Sequence, residues 1–329
     1  MPAATDVMDL DAKPAGSWKE YLTKSAMDEL QSEVNPARHK ALVTDKVLFY
    51  ERCLARNIST PPVLAVIAAH KARASSGDGL PTVETAAQLQ DLLSGFENRV
   101  LIVKDQQGAW GRGVLLVAVR DGRIVQHTGE EFPASEIIRH CREHQANFIV
   151  QDFLRTDERV KSLMPGPALG TFRVVTVSRA AGEEIAIPYA FAKVPVAGNI
   201  TDNFYHGSSG NLICGIHVET GRLMTGWGAS KAQHGQLVEV DTHPDTGIRF
   251  SGFEIPCWAE MLAAAKTASR GFPELKTLGW DVALTSTGIV LLEANCNYDP
   301  DVPQITLKKG IRSEIAGHYK WAMEALRRG

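Results

Sequence analysis

The sequence predicts an α+β fold in which antiparallel strands mix with helices. Three observations lead there. Apolar runs at 172–178, 185–192, 213–218 and 237–240 follow one another without a helix between each pair, so the order is not the alternating βαβ series of a Rossmann or TIM fold. Segments at 45–57, 85–93, 135–144 and 254–270 carry apolar residues at helical spacing instead. Two apolar runs around Ser286-Thr287-Gly288 read as a hairpin over 280–297.

In chain order, residues 1–16 read as a loose terminus. Trp18, Tyr21, Leu22, Ala26 and Leu30 place a helix over 17–41. Ile58-Ser-Thr-Pro61-Pro62 stops the 45–57 helix, and a strand follows at 63–68. Glycine and proline make 77–81 a loop. Strands are expected at 100–104, 114–119 and 148–153, and a last helix at 311–328.

The 329 residues suffice for two or three subdomains. Hydrophobic content of 44% and charged content of 22% are those of a soluble globular protein. A net charge of -3 gives no reason to expect nucleic acid or an anionic membrane as partner. No apolar run reaches the roughly 18 residues of a membrane span, and the acidic start lacks the order of a signal peptide. Cys53, Cys141, Cys214, Cys257 and Cys296 are scattered and odd in number, which fits reduced thiols in a cytoplasm. Cys296 reads as core packing.

The hairpin carries the most chemistry. A three-residue loop would set Asp281 opposite Glu293, since both are equally far from Thr287. Opposed carboxylates repel, and a divalent cation is the simple compensation. Asn295 shares the face of Glu293 by period-two alternation. Two carboxylates and an amide oxygen suit Mg2+. A solvated acidic hairpin face is the alternative.

A second pattern runs from Lys104 through Gly108, Gly111 and Gly113 between two strands. Glycines let backbone N–H groups approach an anion, and the lysine adds charge. Lysine precedes the glycines and a strand follows, so this is no Walker loop; an ordinary glycine-rich hairpin remains the plain reading. Gln151-Asp152-Phe153-Leu154 could offer backbone groups to a purine, or simply be buried strand. Arg173 alternates with Phe172 and Val174 and could face a cleft, although an exposed strand arginine is the commoner case. The polar 201–211 loop, with Asn203 and His206, could cover a substrate.

Taken in order, these pieces resemble the ATP-grasp superfamily, most closely its sugar-transfer-associated group related to α-L-glutamate ligases. Asp45-Lys46, Gln151, Thr171-x-Arg173, Asp202-Asn203, His243-Pro244, Ile255-Pro256-x-Trp258, Gly279-Trp280-Asp281 and Glu293-Ala-Asn295 carry the likeness, over about 40 to 310. The resemblance implies two α+β subdomains clasping ATP between antiparallel sheets. A helical extension would occupy 1–44, an N-terminal ATP-grasp subdomain with the glycine flap 45–150, and a C-terminal one with the metal site 151–329. Lys46 and Lys104 would contact phosphates, and Gly108, Gly111 and Gly113 would form the flap. Gln151, Asp152, Phe153 and Leu154 would hold adenine, and Asp157 the ribose. Asp281, Glu293 and Asn295 would hold Mg2+, while Arg173, Lys193 and Asn203 would face the transferred phosphoryl group. Lys193 stands where relatives often carry arginine, and Asp105 where many carry proline.

The implied activity is an ADP-forming carboxylate–amine ligase acting through an acyl phosphate. Its partners would be a small-molecule acid and an amine, with no nucleic acid or membrane, in the cytoplasm, and a homodimer is compatible with it. An ATP-grasp kinase acting on a hydroxyl is the alternative, and a non-catalytic nucleotide-binding protein the third. Glu293→Gln is expected to lower magnesium-dependent nucleotide turnover by roughly two orders of magnitude or more with the fold intact, because one ligand charge is lost with little volume change. Wild-type turnover in that variant, in a steady-state assay, would remove the metal assignment.

Overall fold

Periodicity alone reads one helix over 17–41, but two local signals divide it. The computed structural model places a 3-10 turn at Ser17–Glu20, then α1 at Lys24–Val34, then a second 3-10 turn at Ala37–His39. Thr23 caps α1 by accepting a hydrogen bond from Ala26 N, 3.2 Å. Asn35 and Pro36 end it, since proline disfavours helical backbone in the preceding residue. The structure describes residues 17–69, 79–108, 111, 113–179, 184–230 and 235–328. The expected loose terminus at 1–16 and positions 77–78 of the 77–81 loop lie outside them.

The chain then runs through α2 (Lys46–Ala55), β1 (Val63–Ile67), β2 (Thr82–Val83), α3 (Ala86–Ser94), β3 (Val100–Asp105), β4 (Leu115–Arg120), β5 (Arg123–Gln126), α4 (Ala134–Glu143) and β6 (Phe148–Asp152). Next come β7 (Thr171–Ser178), β8 (Ile185–Ala186), β9 (Ala190–Val194), β10 (Leu212–His217), β11 (Arg222–Ala229), β12 (Leu237–Val240) and α5 (Trp258–Gly271). It closes with β13 (Thr277–Thr285), β14 (Gly288–Asn295), α6 (Asp301–Leu307) and α7 (Arg312–Arg328). Two compact units result: Ala41–Leu154, and Met1–Lys40 with Arg155–Gly329.

The 41–154 unit holds a sheet of order β2-β1-β6-β3-β4-β5, in which only the β1–β2 pair is parallel. Leu101, Val103, Phe148 and Val150 face one way and pack with Leu89 and Leu93 of α3 and Ile137, Ile138 and Cys141 of α4. Val66 and Ile149 face the other way and pack on Val47 of α2. Lys104 pairs with Ile149, so alternation puts it on the α2 side.

The other unit holds an antiparallel sheet of order β12-β11-β10-β9-β7-β13-β14, with β8 beside β7. All of β13 is buried. Trp280 points toward α5, donating from Nε1 to Ser269 Oγ at 2.9 Å. Alternation therefore turns Asp281 to the opposite face. Among the described residues no helix is long and apolar enough to cross a membrane.

Several elements escape or depart from periodicity, among them β2, β5 and the strand expected at 185–192, which is split into β8 and β9. Strand β11 contains Gly226 and Gly228, where a Cβ would lie 2.7 Å from Phe250 Cδ2 and 2.4 Å from Leu212 Cδ2. The glycines allow close packing but weaken the strand pattern. Helix α6 carries Pro303 in its first turn, a position that tolerates proline. Helix α5 begins at Trp258 rather than 254, because Cys257 adopts left-handed backbone, φ 58°.

Asn35 locks α1 onto the β13–β14 pair. It is fully buried; its Nδ2 donates to Thr277 O at 2.8 Å and Cys296 O at 3.1 Å, and its Oδ1 accepts from Lys276 N and Thr277 N at 2.9 and 3.1 Å. Asn35→Ala leaves buried backbone groups unpaired and is expected to cost about 2–4 kcal/mol. Urea unfolding measures this, and an unchanged midpoint would refute the anchoring role.

Candidate functional site

The β13–β14 hairpin pairs Asp281 with Glu293, as the spacing predicts, but by a different route. Thr285 pairs with Gly288, which leaves two residues in the turn rather than three. A bulge between Asp281 and Val282 then shifts the register by one and restores the pair. Gly288 has φ +115°, which an L side chain rarely adopts.

Neighbouring strands extend the pair into a row. Asp281 faces Arg173 of β7, and Thr171 of β7 faces Lys193 of β9. All share one face of the sheet by register. Arg173 forks onto Asp281, Nε to Oδ1 at 2.6 Å and Nη2 to Oδ2 at 3.0 Å. Lys193 Nζ lies 3.0 Å from Asp281 Oδ2 and 3.2 Å from Asp202 Oδ1. Asp202 Oδ2 also accepts from Thr171 Oγ1. Asn295 Nδ2 is 3.3 Å from Glu293 Oε1.

The Asp281 and Arg173 side chains are only 3% and 12% exposed. Burial pushes the Asp281 carboxyl up, but Arg173 and Lys193 outweigh it and hold it well below the usual range. Burial likewise works against charged Lys193 and Arg173, yet the carboxylates keep both raised, so both stay cationic. The repulsion between Asp281 and Glu293 is thus met within the protein, and it does not by itself call for a cation. The donor chemistry still fits magnesium, since Glu293, Asn295 and Asp281 present hard oxygens on adjacent strands. Asp281 is the least available, because both its oxygens already accept hydrogen bonds. Among the described residues no three His, Cys, Asp or Glu side chains form a metal cluster on their own; the third donor here is an amide.

Asn203 lies in the loop that follows β9. Buried Asn211 organises this loop, donating to Thr201 O and Asn203 O at 2.9 Å and accepting from Val196 N at 3.1 Å. His243 holds its start: Nδ1 accepts from Asp245 N, so Nε2 carries the hydrogen and donates to Pro195 O, both at 3.1 Å. Asp157 caps a 3-10 turn at the hairpin tip, and Arg159 holds its carboxyl below the usual range. The sequence places Asp202 and Asn211 in the candidate 201–211 loop, and Asp202 in the motif that carries the resemblance, but gives neither a role of its own. For Asp202 the signal is its place beside Asn203 in a polar loop; the contacts of Asn211 are purely tertiary.

The 41–154 unit carries the remaining predicted residues. Lys46 Nζ donates to Gly108 O at 2.6 Å. Asp105 Oδ1 accepts from Gln107 N and Gly108 N at 2.8 and 2.7 Å, so the Asp105 side chain builds the turn. A Cβ on Gly108 would lie 2.6 Å from Asp105 Cγ. Gly111 and Gly113 have φ +68° and +70°. His140 Nε2 lies 3.0 Å from Gly113 O. The side chain of Gln151 is bonded to Pro61 O at 2.9 Å, Asp152 pairs with Arg99, and Phe153 N reaches Val100 O at 3.4 Å. Leu154 is the last residue of the unit.

Cys53, Cys141, Cys214 and Cys296 are buried and free, and burial pushes Cys53 and Cys141 up to about 12. These four are packing residues, not poised thiolates.

The profile of the sugar-transfer associated ATP-grasp family matches residues 25–318, and the chain belongs to that family. No curated protein matches the sequence. Among solved structures it is similar to an N5-carboxyaminoimidazole ribonucleotide synthetase in complex with ADP (9% identity, 86% of this chain and 53% of that one, TM-score 0.45). It is also similar to biotin carboxylase from Campylobacter jejuni (10%, 94% and 53%, 0.48) and D-alanine–D-alanine ligase from Bacillus anthracis (13%, 100% and 84%, 0.42). The chain spans about half the length of the first two.

The Asp281 carboxyl is depressed in the fold, so its stabilisation is complete above the unfolded value of about 3.9 and fades below it. The difference in urea midpoint between wild type and Asp281→Asn should be widest above about pH 4 and narrow as pH falls further. A pH-independent difference would refute the ionic account.

Proposed function

We propose that this chain is an ATP-dependent carboxylate–amine ligase that releases ADP and phosphate. The observation that carries the reading is the row Lys193–Asp281–Arg173, in which two buried cations are held rigidly by a shared carboxylate. Such a row holds a guanidinium and an ammonium in fixed positions from which they can donate to phosphoryl oxygens, and the chemistry needs no protein nucleophile. The buried, raised thiols agree with that.

In this reading Lys46, Lys104 and the loop containing Gly108, Gly111 and Gly113 bind the nucleotide phosphates. The backbone of 151–154 takes the adenine edge, because the Gln151 and Asp152 side chains are already engaged. Asp157 is the candidate for the ribose. Asp281, Glu293 and Asn295 would hold Mg2+, which when bound would neutralise phosphate oxygens. Arg173 and Lys193 orient the γ-phosphoryl group, and Asn203 faces the acceptor. An acid carboxylate oxygen bonds the γ-phosphorus as the bond to ADP breaks; the amine then displaces phosphate from the acyl phosphate. Closed glycine loops would exclude the water that otherwise hydrolyses that intermediate. A small-molecule acid and amine, and a cytoplasmic setting, belong to the same proposal.

Screening pools of acids and amines for ADP release tests it. ADP should appear only when both an acid and an amine are present, with an amide product by mass spectrometry. AMP release would overturn the reading, and a stable phosphate ester formed without an amine would establish a kinase instead.

A further inference from the structure

Helix α2 begins on a carboxylate that does more than cap it. Asp45 is 3% exposed, and its Oδ1 accepts from Val47 N and Leu48 N at 3.0 and 3.3 Å. A serine or asparagine would satisfy that need. Asp45 also accepts from Gln106 Nε2, at 3.0 Å to each oxygen, and from Gln107 Nε2 at 2.9 Å. Those two glutamines form the root of the glycine loop. The backbone closes the same junction, with Lys46 N bonded to Gln106 O at 3.0 Å and Gln106 N to Asn147 O at 2.8 Å. Lys46, the next residue, reaches Gly108 O with its side chain.

We propose that Asp45 is a positioning residue for nucleotide binding: its carboxylate clamps Gln106 and Gln107 so that Lys46 and the start of the glycine loop keep one geometry. This rests on the reading that the loop holds nucleotide phosphates. The sign of the effect separates positioning from charge. A carboxylate beside a phosphate site opposes an anion, so by Coulomb's law its removal alone would tighten binding. Positioning demands the reverse.

The test uses the full chain, with ADP and magnesium as the probe. Asp45→Ser keeps a capping hydroxyl but is too short to reach the glutamines. Gln107→Leu removes part of the clamp and leaves the cap untouched. Calorimetric titration should show ADP bound about tenfold more weakly by Asp45→Ser, and several-fold more weakly by Gln107→Leu, as charge-assisted hydrogen bonds are lost. Amide exchange at Gln107 and Gly108 should quicken in both variants while α2 amides stay near wild type; the thermal midpoint should stay near wild type in Gln107→Leu and fall by a few degrees in Asp45→Ser, where buried Gln106 Nε2 loses its Asp45 partner. Equal or tighter ADP binding by Asp45→Ser, or unchanged exchange at the loop, overturns the proposal. If Asp45→Ser does not fold, Gln107→Leu decides by the same two readings. A wild type that fails to bind ADP removes the nucleotide reading itself and the proposed ligand with it, whereas the exchange measurement still decides whether Asp45 holds the loop.

Discussion

The grip of Arg173 and Lys193 on the buried Asp281 carboxylate is the constraint around which the larger sheet is organised. A carboxylate buried on an all-buried central strand is several kcal/mol unfavourable unless it is paired and hydrogen-bonded. One partner comes from the adjacent strand β7, where Arg173 stands directly opposite Asp281, and the other, Lys193, reaches it from β9, one strand further along the sheet. That requirement fixes the register of β7 against β13 and of β9 against β7: a slip of one residue would turn Arg173 or Lys193 to the far side of the sheet. The same geometry that removes an energetic penalty leaves two permanent cations on one face.

Support for this row comes from buried polar residues outside it. Asn35 ties α1 to the edges of β13 and β14, Asn211 shapes the loop carrying Asp202 and Asn203, and His243 anchors the chain just after Lys193. Each satisfies backbone groups that no strand or helix ladder reaches. In the 41–154 unit Asp45 and Asp105 serve the glycine loop in the same manner. Rigid charge at one place thus depends on amide and carboxylate side chains that carry no chemistry themselves.

The placement of the acidic hairpin residues was legible in the sequence. Hairpin symmetry brings Asp281 opposite Glu293, and alternation adds Asn295 to that face. The pairing nevertheless arises from a two-residue turn corrected by a bulge, and a bulge leaves no mark in an apolar pattern. The cation invoked to relieve the carboxylate pair is not required for that purpose, because Arg173 arrives from a strand more than a hundred residues earlier. Strand β11 and helix α6 were hidden by Gly226, Gly228 and Pro303, whose local preferences are overridden by close packing and by position in the first helical turn.

Residue order alone determined the antiparallel α+β class, the acidic hairpin and the lysine-glycine segment, since these follow from local periodicity and turn chemistry over a few residues. Only the tertiary structure decided which charges pair, that Lys193 is shared between Asp202 and Asp281, and that the Asp105 side chain holds the turn at Gly108. Electrostatic partnership depends on through-space distance and burial, which sequence separation does not encode.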